Sequence, residues 1–397
     1  MTASVVVTGL GVAAPNGCGG QDFWNATLAG KSGIGPLTRF DASGYPARLA
    51  GEIGDFTAEG QLPSRLMPQT DRVTRLSLVT ADRALADAGV RSAELPAFSM
   101  GVSTASSAGG FEFSQQELKN LWSKGSQYVS AYQSFAWFYA VNTGQISIRH
   151  GMKGPSGVVV TDQAGGLDAV AQGRRQIRKG TSLVVAGAVD ALLCPWGWSG
   201  LLTSGRLSTA EEPTHAYLPF DDRAAGHVAG EGGALLIMES GDSARARGAE
   251  VYGEIAGYAA TFDGREPGLR KAVEPALADA GTTAADVDVV FADAAAEPDL
   301  DRVEAETIVG VFGPHGVPVT APKTMTGRLY AGGAALDLAT AFLALREDTI
   351  PPTVNTEPAE HHGLDLVVSQ PRAARLRTAL VLARGHGGFN SAMVVRS

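Results

Sequence analysis

Cysteine is nearly absent from this chain: Cys18 and Cys194 are the only two in 397 residues, and they form no CxxC pair. That excludes a disulfide framework and a cysteine-based zinc site, and the expected setting is a reducing cytoplasm. Cys18 falls in a glycine-rich turn and Cys194 just before Pro195. Neither has the helix-start setting that lowers a thiol pKa, so both read as inert small side chains. Histidine is scarce as well, with seven in all and His361-His362 as the only cluster. No HExxH or Cys/His spacing occurs, and no metal is expected. No apolar run reaches transmembrane length. The opening MTASVVVTGLG lacks a basic region followed by a long apolar stretch, so a soluble, intracellular protein without membrane contact is expected. Basic charge does not dominate: 32 Lys and Arg stand against 41 Asp and Glu, a net charge of −9. That argues against nucleic acid or an anionic membrane as a partner.

What the chain has is apolar content and alternation. Hydrophobic residues make up 44% and support a large core. Short apolar runs that suit strands (Ser4–Thr8, Phe98–Ser103, Val287–Ala292, Val317–Thr320, Thr378–Arg384, Phe389–Val395) alternate with helical patterns. The helices are placed at Asp22–Ala29, Arg75–Ala88, Phe111–Trp122, Ala136–Arg149, Leu269–Ala280, Asp301–Phe312 and Gly333–Arg346. Such alternation predicts an α/β fold with largely buried sheets. The polar stretch Ser240–Glu250 divides it into residues 1–245 and 246–397. Gly9-Leu10-Gly11-Val12-Ala13-Ala14 fits GxGxxA after a strand. A dinucleotide site is rejected because Pro15 interrupts the required helix and no acidic residue closes a second strand, which leaves a tight turn.

The most informative segment is Gly157–Ala188. Gly157–Val160 is a buried strand, Thr161-Asp162-Gln163 a sharp bend, and Ala164-Gly165-Gly166 permits close backbone approach. A helix follows from Leu167 to Lys179, then a strand over Ser182–Ala188. A strand-bend-helix of this kind projects one side chain onto a helix N-terminus, a place suited to a thiolate or an oxyanion. Here that side chain is Gln163, an amide that forms no acyl intermediate.

The stretch Val158–Ala169, VVVTDQAGGLDA, resembles the active-site elbow of the beta-ketoacyl synthases, with Gln163 in the place of their cysteine. Within that family the chain resembles the chain-length factor, the ketosynthase-like beta subunit of aromatic, type II polyketide synthases. The likeness runs nearly end to end, from Val5–Pro15 to Gly385–Ser391. It implies a thiolase-like layered fold (αβαβα) built from two similar halves.

Condensing members of that family use a cysteine, two histidines and a lysine. The motif like NAHGTxTxxND falls on residues 291–301, in register through Asp301-Arg302, so Asp293 replaces the first histidine. The motif like KSMTGH falls on Lys323–Arg328, so Arg328 replaces the second and Lys323 is retained. Gly385–Asn390 resembles GFGGFN, with His386 in place of a phenylalanine that gates the pocket. With cysteine and both histidines replaced, no catalytic residue for condensation is expected. Convergence of the two histidine positions predicts an ion pair between Asp293 and Arg328, open to a bidentate geometry. For Lys323 two placements stay open: paired with Glu304, or solvated.

The resemblance also implies partners and roles. The expected function is that of a non-condensing subunit. It pairs with a catalytic ketosynthase alpha subunit in a heterodimer, completes the polyketide tunnel and sets chain length. Acyl groups arrive on the phosphopantetheine arm of an acyl carrier protein, and no cofactor is bound. The alternative is a malonyl-acyl-carrier-protein decarboxylase that makes the acetyl starter with Gln163 as donor. In related chain-length factors the helix matching Gly109–Leu118 plugs the tunnel at the dimer interface. Carried over, Phe111, Ser114 and Leu118 form the gate, on one face at helical spacing. The aromatic segment Tyr128–Tyr139, with Trp196 and Trp198, suits either the core or an interface.

Overall fold

The computed structural model describes residues 4–54, 56–264 and 268–397. Its main sheet is built from β1 (Val5–Ala14), β2 (Met100–Ala105), β3 (Ser156–Val159), β4 (Leu183–Asp190), β5 (Gly232–Ser240), β6 (Gly253–Phe262), β7 (Val289–Phe291), β8 (Pro318–Thr320), β9 (Asp365–Leu366), β10 (Thr378–Gly385) and β11 (Phe389–Arg396), with Gly17–Cys18 paired on β1. The strand order is β9-β8-β7-β10-β11-β6-β1-β5-β4-β2-β3. With the short edge strand β9 left out of the count, the five strands of each half run in the same order, 1-5-4-2-3, outward from β1 and outward from β6. The internal repeat that no residue pattern revealed is thus plain in the topology. Within the sheet, the two halves join where β1 pairs with β6, Val6 opposite Glu254 and Val7 opposite Gly253.

The helices that position the site are α1 (Arg72–Asp87), α2 (Phe111–Lys124), α3 (Gly165–Arg178), α4 (Pro195–Leu202), α5 (Leu269–Asp279), α6 (Pro298–Phe312) and α7 (Ala331–Glu347). Helices α3 and α7 pack on each other between the two halves of the sheet, while α1 covers β1 and β5 outside one half and α5 covers β6 and β11 outside the other. Five layers result, αβαβα. Every residue of α7 from Ala331 to Leu345 is buried, as suits a helix enclosed by sheet on both sides. The glycines at the start of α3 allow the contact: a methyl group on Gly166 would stand 2.6 Å from the Ala331 carbonyl oxygen of α7.

Gly9 and Gly11 do not make the expected turn. They lie inside β1, which runs to Ala14. Their lack of a side chain seats α1 instead, since a methyl group there would stand 2.4 Å from the Ala84 carbonyl and 2.0 Å from that of Thr80. Among the described residues, no helix is long and apolar enough to cross a membrane. None of their His, Cys, Asp and Glu side chains form a group of three or more that could hold a metal.

Candidate functional site

The bend after β3 turns on Asp162, whose φ is 50°. Aspartate tolerates this left-handed conformation better than most residues. Its Oδ2 accepts a hydrogen bond from the His386 backbone N–H at 2.8 Å, tying the bend to the β10–β11 hairpin. At the start of α3, Asp168 accepts from the hydroxyls of Thr161 (2.6 Å), Tyr258 (2.7 Å) and Ser391, which fixes the elbow to the second half. Gln163 itself is fully buried. Its amide lies against α7, where a methyl group on Gly333 would be 2.6 Å from Nε2. Among the described residues, neither amide atom has a hydrogen-bond partner.

A cleft of about 820 Å³ opens beside the elbow. Asp162, His227, Arg328, Tyr330, Arg384 and His386 line its polar end, and Phe111, Leu192 and Leu201 its apolar end. Of the elbow, the cleft is lined by Asp162 and not by Gln163.

Asp293 and Arg328 meet as expected. One guanidinium nitrogen, Nη2, donates to both Asp293 carboxylate oxygens at 3.0 Å, and Nη1 donates to the Asp293 carbonyl at 3.2 Å. This is a single-nitrogen contact on both oxygens, not a two-nitrogen fork. Nη2 also reaches the Arg384 carbonyl (2.7 Å), and the Arg384 N–H donates back to Asp293 Oδ1 (2.9 Å). Burial opposes the Arg328 charge, but Asp293, with Tyr217 and Asp162 nearby, holds its pKa above the ordinary arginine value.

Lys323 does not pair with Glu304, nor is it solvated. Its ammonium is buried, ion-paired with Asp337 of α7 at 2.7 Å, and donates to the carbonyls of Ala292 (2.7 Å) and Asp293 (2.9 Å). Glu304 is occupied elsewhere, accepting from the backbone N–H groups of Asp293 (2.7 Å) and Ala294 (2.9 Å). One turn earlier on α6, Asp301 accepts from Ala296 (3.0 Å) and Phe220 (2.8 Å). Two carboxylates of α6 thus clamp a loop in which Ala294 and Ala296 have positive φ. Burial pushes the Asp301 carboxyl up to about 7, against the two N–H donors that lower it.

His227 belongs to this site although its loop carries no motif to mark it. It is buried between the rings of Tyr217 and Tyr330. Burial, with the charges of Arg328 and Arg206, holds its pKa well below 6.5. The folded protein keeps this imidazole neutral while the unfolded chain takes a proton below about pH 6.5. Its contribution to stability is therefore full above that pH and is lost as pH falls, by about 1.4 kcal/mol per pH unit. Urea unfolding at pH 7.5, 6.5 and 5.5 should show a shallower acid decline in His227→Phe than in the wild type. Equal slopes would contradict the assignment.

Cys194 corrects another expectation. It is the N-cap of α4, its Sγ accepting from the Gly197 N–H at 3.4 Å. Helix-start placement alone would lower a thiol pKa, but burial pushes this one up to about 11, with Asp71 and Glu112 adding to the rise.

The three α2 residues do not share one cavity. Phe111 lines the cleft and stacks on Trp196, ring centroids 4.6 Å apart. Leu118 lines a second groove of about 610 Å³ with Tyr45, Trp122 and Trp196. Ser114 lines neither; it is buried and accepts from Gln133 Nε2 at 3.2 Å. The face turned toward α4 runs through Phe111, Gln115 and Leu118, and Gln115 accepts from the Trp196 N–H at 2.6 Å. Trp198 is fully buried, whereas Trp196, Tyr128, Tyr132, Trp137, Phe138 and Tyr139 remain substantially exposed.

A duplicated five-layer α/β fold, with a strand-bend-helix element beside a cleft at the junction of its halves, defines a thiolase-like protein of ketosynthase type. The "Beta-ketoacyl synthase, N-terminal domain" family matches residues 2–244 and the corresponding C-terminal domain residues 252–357; the chain belongs to the beta-ketoacyl synthase family. It is 60% identical to the tetracenomycin polyketide synthase ketoacyl synthase beta subunit of Streptomyces glaucescens, covering 99% of this chain and 98% of that one. With the actinorhodin polyketide putative beta-ketoacyl synthase 2 of Streptomyces coelicolor it shares 58% identity over the same fractions. Identity to the 3-oxoacyl-[acyl-carrier-protein] synthase 2 of Synechocystis is 34%, over 97% of this chain and 96% of that one. Among solved structures, the ishigamide ketosynthase/chain length factor superposes with a TM-score of 0.92 at 26% identity, all of both chains covered. A type II polyketide synthase acyl-carrier protein in complex with its ketosynthase bound to a hexaketide gives 0.89 at 27%, also over all of both chains.

Proposed function

We propose that this chain is the non-condensing, chain-length-setting beta subunit of a type II polyketide synthase. The observation that carries the proposal is the state of the old reaction centre. The elbow residue is an amide enclosed against α7, and an ion pair occupies both histidine positions. Such a site has no nucleophile and no titrating imidazole at the points where condensation needs them. Chemistry then falls to a catalytic ketosynthase alpha subunit that receives acyl groups on the phosphopantetheine arm of an acyl carrier protein. The free thiols of Cys18 and Cys194 suit the reducing cytoplasm in which this assembly would work.

Two features support a heterodimer. Among the described residues, strand β3 ends the sheet with one edge unpaired, and Val160 just beyond it is 47% exposed. Nearby α2 and the following segment expose Trp122, Trp137, Phe138 and Tyr139. An unpaired edge beside exposed aromatics suits pairing with another chain. In this reading Phe111 and Leu118 close the far end of the tunnel that starts in the partner, Ser114 backs them from the buried side, and His386 stands at the cleft mouth. Decarboxylation by this chain would require the Gln163 amide to reach a thioester, and that amide does not face the cleft.

The test is co-expression of the alpha subunit and carrier protein with wild-type chain, with Gln163→Ala, or with no beta subunit. Mass spectrometry should find the same full-length product with the first two and none with the third. Loss of product length or turnover in Gln163→Ala would contradict the reading.

A further inference from the structure

Helix α2 has no cap of its own. Gly110 at its N-cap carries no side chain, and no side-chain hydrogen bond closes its first turn from within. The N–H of Phe113 is satisfied instead from another element, by Asp71 Oδ2 at 2.8 Å. Asp71 is the N-cap of α1, where its Oδ1 accepts from the Val73 N–H at 2.8 Å. One carboxylate, only 2% exposed, therefore caps two helices at once. Burial pushes its pKa up to about 6, and the two helix N–H donors, from Phe113 and Val73, act against that rise.

The seat is tight. A methyl group on Gly110 would stand 2.0 Å from the Ala136 carbonyl and 3.0 Å from Asp71 Cβ. A second strap joins the same turn: Arg39 Nη2 donates to both oxygens of Glu112 at 2.8 Å, and its Nε donates to the Leu193 carbonyl at 3.3 Å. That pair is partly solvent-exposed, with side-chain exposures of 23% and 47%, so it adds little. Asp71 is the stronger anchor because its carboxylate is buried and accepts from the first turns of two helices at once, where solvent screens the contact less than it screens the Arg39–Glu112 pair.

We propose that Asp71 is a positioning residue for chain-length selection: by capping α2 from α1 it sets where Phe111 stands against Trp196. The inference rests on the gate reading given above. Phe111 lies in the turn that Asp71 holds, so displacement of that turn unstacks the ring pair and deepens the cleft.

Asp71→Asn, in the co-expressed heterodimer, keeps the shape of the side chain but can cap only one helix through its oxygen. Its NH₂ then faces the other helix's N–H. The ratio of docked to undocked first turns in α2 should fall about tenfold. The expected result is a broadened product distribution with added longer chains, together with faster amide exchange over residues 111–114. Asp71→Ser, which can still cap α1 but is too short to reach Phe113, should do the same and serves if the asparagine variant does not fold. Ser240→Ala removes the N-cap of the helix Gly241–Ala246, where Ser240 accepts from the Ser243 N–H at 3.1 Å. It should lower the melting temperature and leave the product unchanged. A wild-type product distribution in both Asp71 variants, while Leu118→Phe still shortens the chain, would overturn this proposal alone. An unchanged product in Leu118→Phe as well would overturn the gate reading and this proposal together.

Discussion

Arg328→Ala should destabilise the protein by about 3–5 kcal/mol, because it strands a buried carboxylate. Domains of ordinary stability have only about 5–15 kcal/mol in total, so the variant should be marginal or insoluble. Asp293 would keep the Arg384 N–H as a donor and lose the Arg328 cation paired with its carboxylate. The Arg384 carbonyl would lose the Arg328 donor as well. The pair need not add net stability to have this effect, since desolvation of both ions offsets much of their attraction. Hence Asp293→Asn combined with Arg328→Met should recover much of the loss: the asparagine oxygen can still accept from Arg384, and no charge remains buried. Denaturant unfolding of the two variants measures this. An Arg328→Ala protein as stable as wild type would show that Asp293 is not held as a buried anion.

Leu118→Phe should shorten the polyketide by a two-carbon unit or more in most of the product. Leu118 faces the groove shared with Tyr45, Trp122 and Trp196, where a larger ring fills space without displacing buried backbone. Ser114→Phe is a poorer probe. Ser114 is buried against Gln133, and a ring there would overpack the helix seat and disturb folding. The readout is the mass of the released product from the reconstituted heterodimer. An unchanged product would remove Leu118 from the gate.

Local pattern carried much of this architecture. The bounds of the elbow were legible because glycines, a sharp bend and a helical pattern follow one another within a dozen residues, and the observed strand and helix lie within two residues of expectation; the strand, expected buried, is instead a partly exposed edge strand. The Asp293–Arg328 pair was legible because two motifs each fixed a register. What pattern could not supply was any partner chosen by topology. Lys323 and Asp337 are 14 residues apart, and only the turn into α7 brings them together. Asp71 and Phe113 meet because two helix starts abut. His227 sits in a loop without periodicity. The Gly9–Ala14 segment is strand where its pattern predicts a turn, because glycines that seat a helix look, in sequence, like glycines that bend a chain. The helix-start position of Cys194 does have a sequence signal: proline directly after it marks a first helical position.

The most direct test is intact-mass spectrometry of both subunits after the heterodimer is incubated with malonyl-loaded carrier protein. The account predicts an acyl adduct on the catalytic partner and an unmodified mass for this chain. A covalent acyl adduct on this chain, or carbon–carbon bond formation by this chain alone, would contradict it.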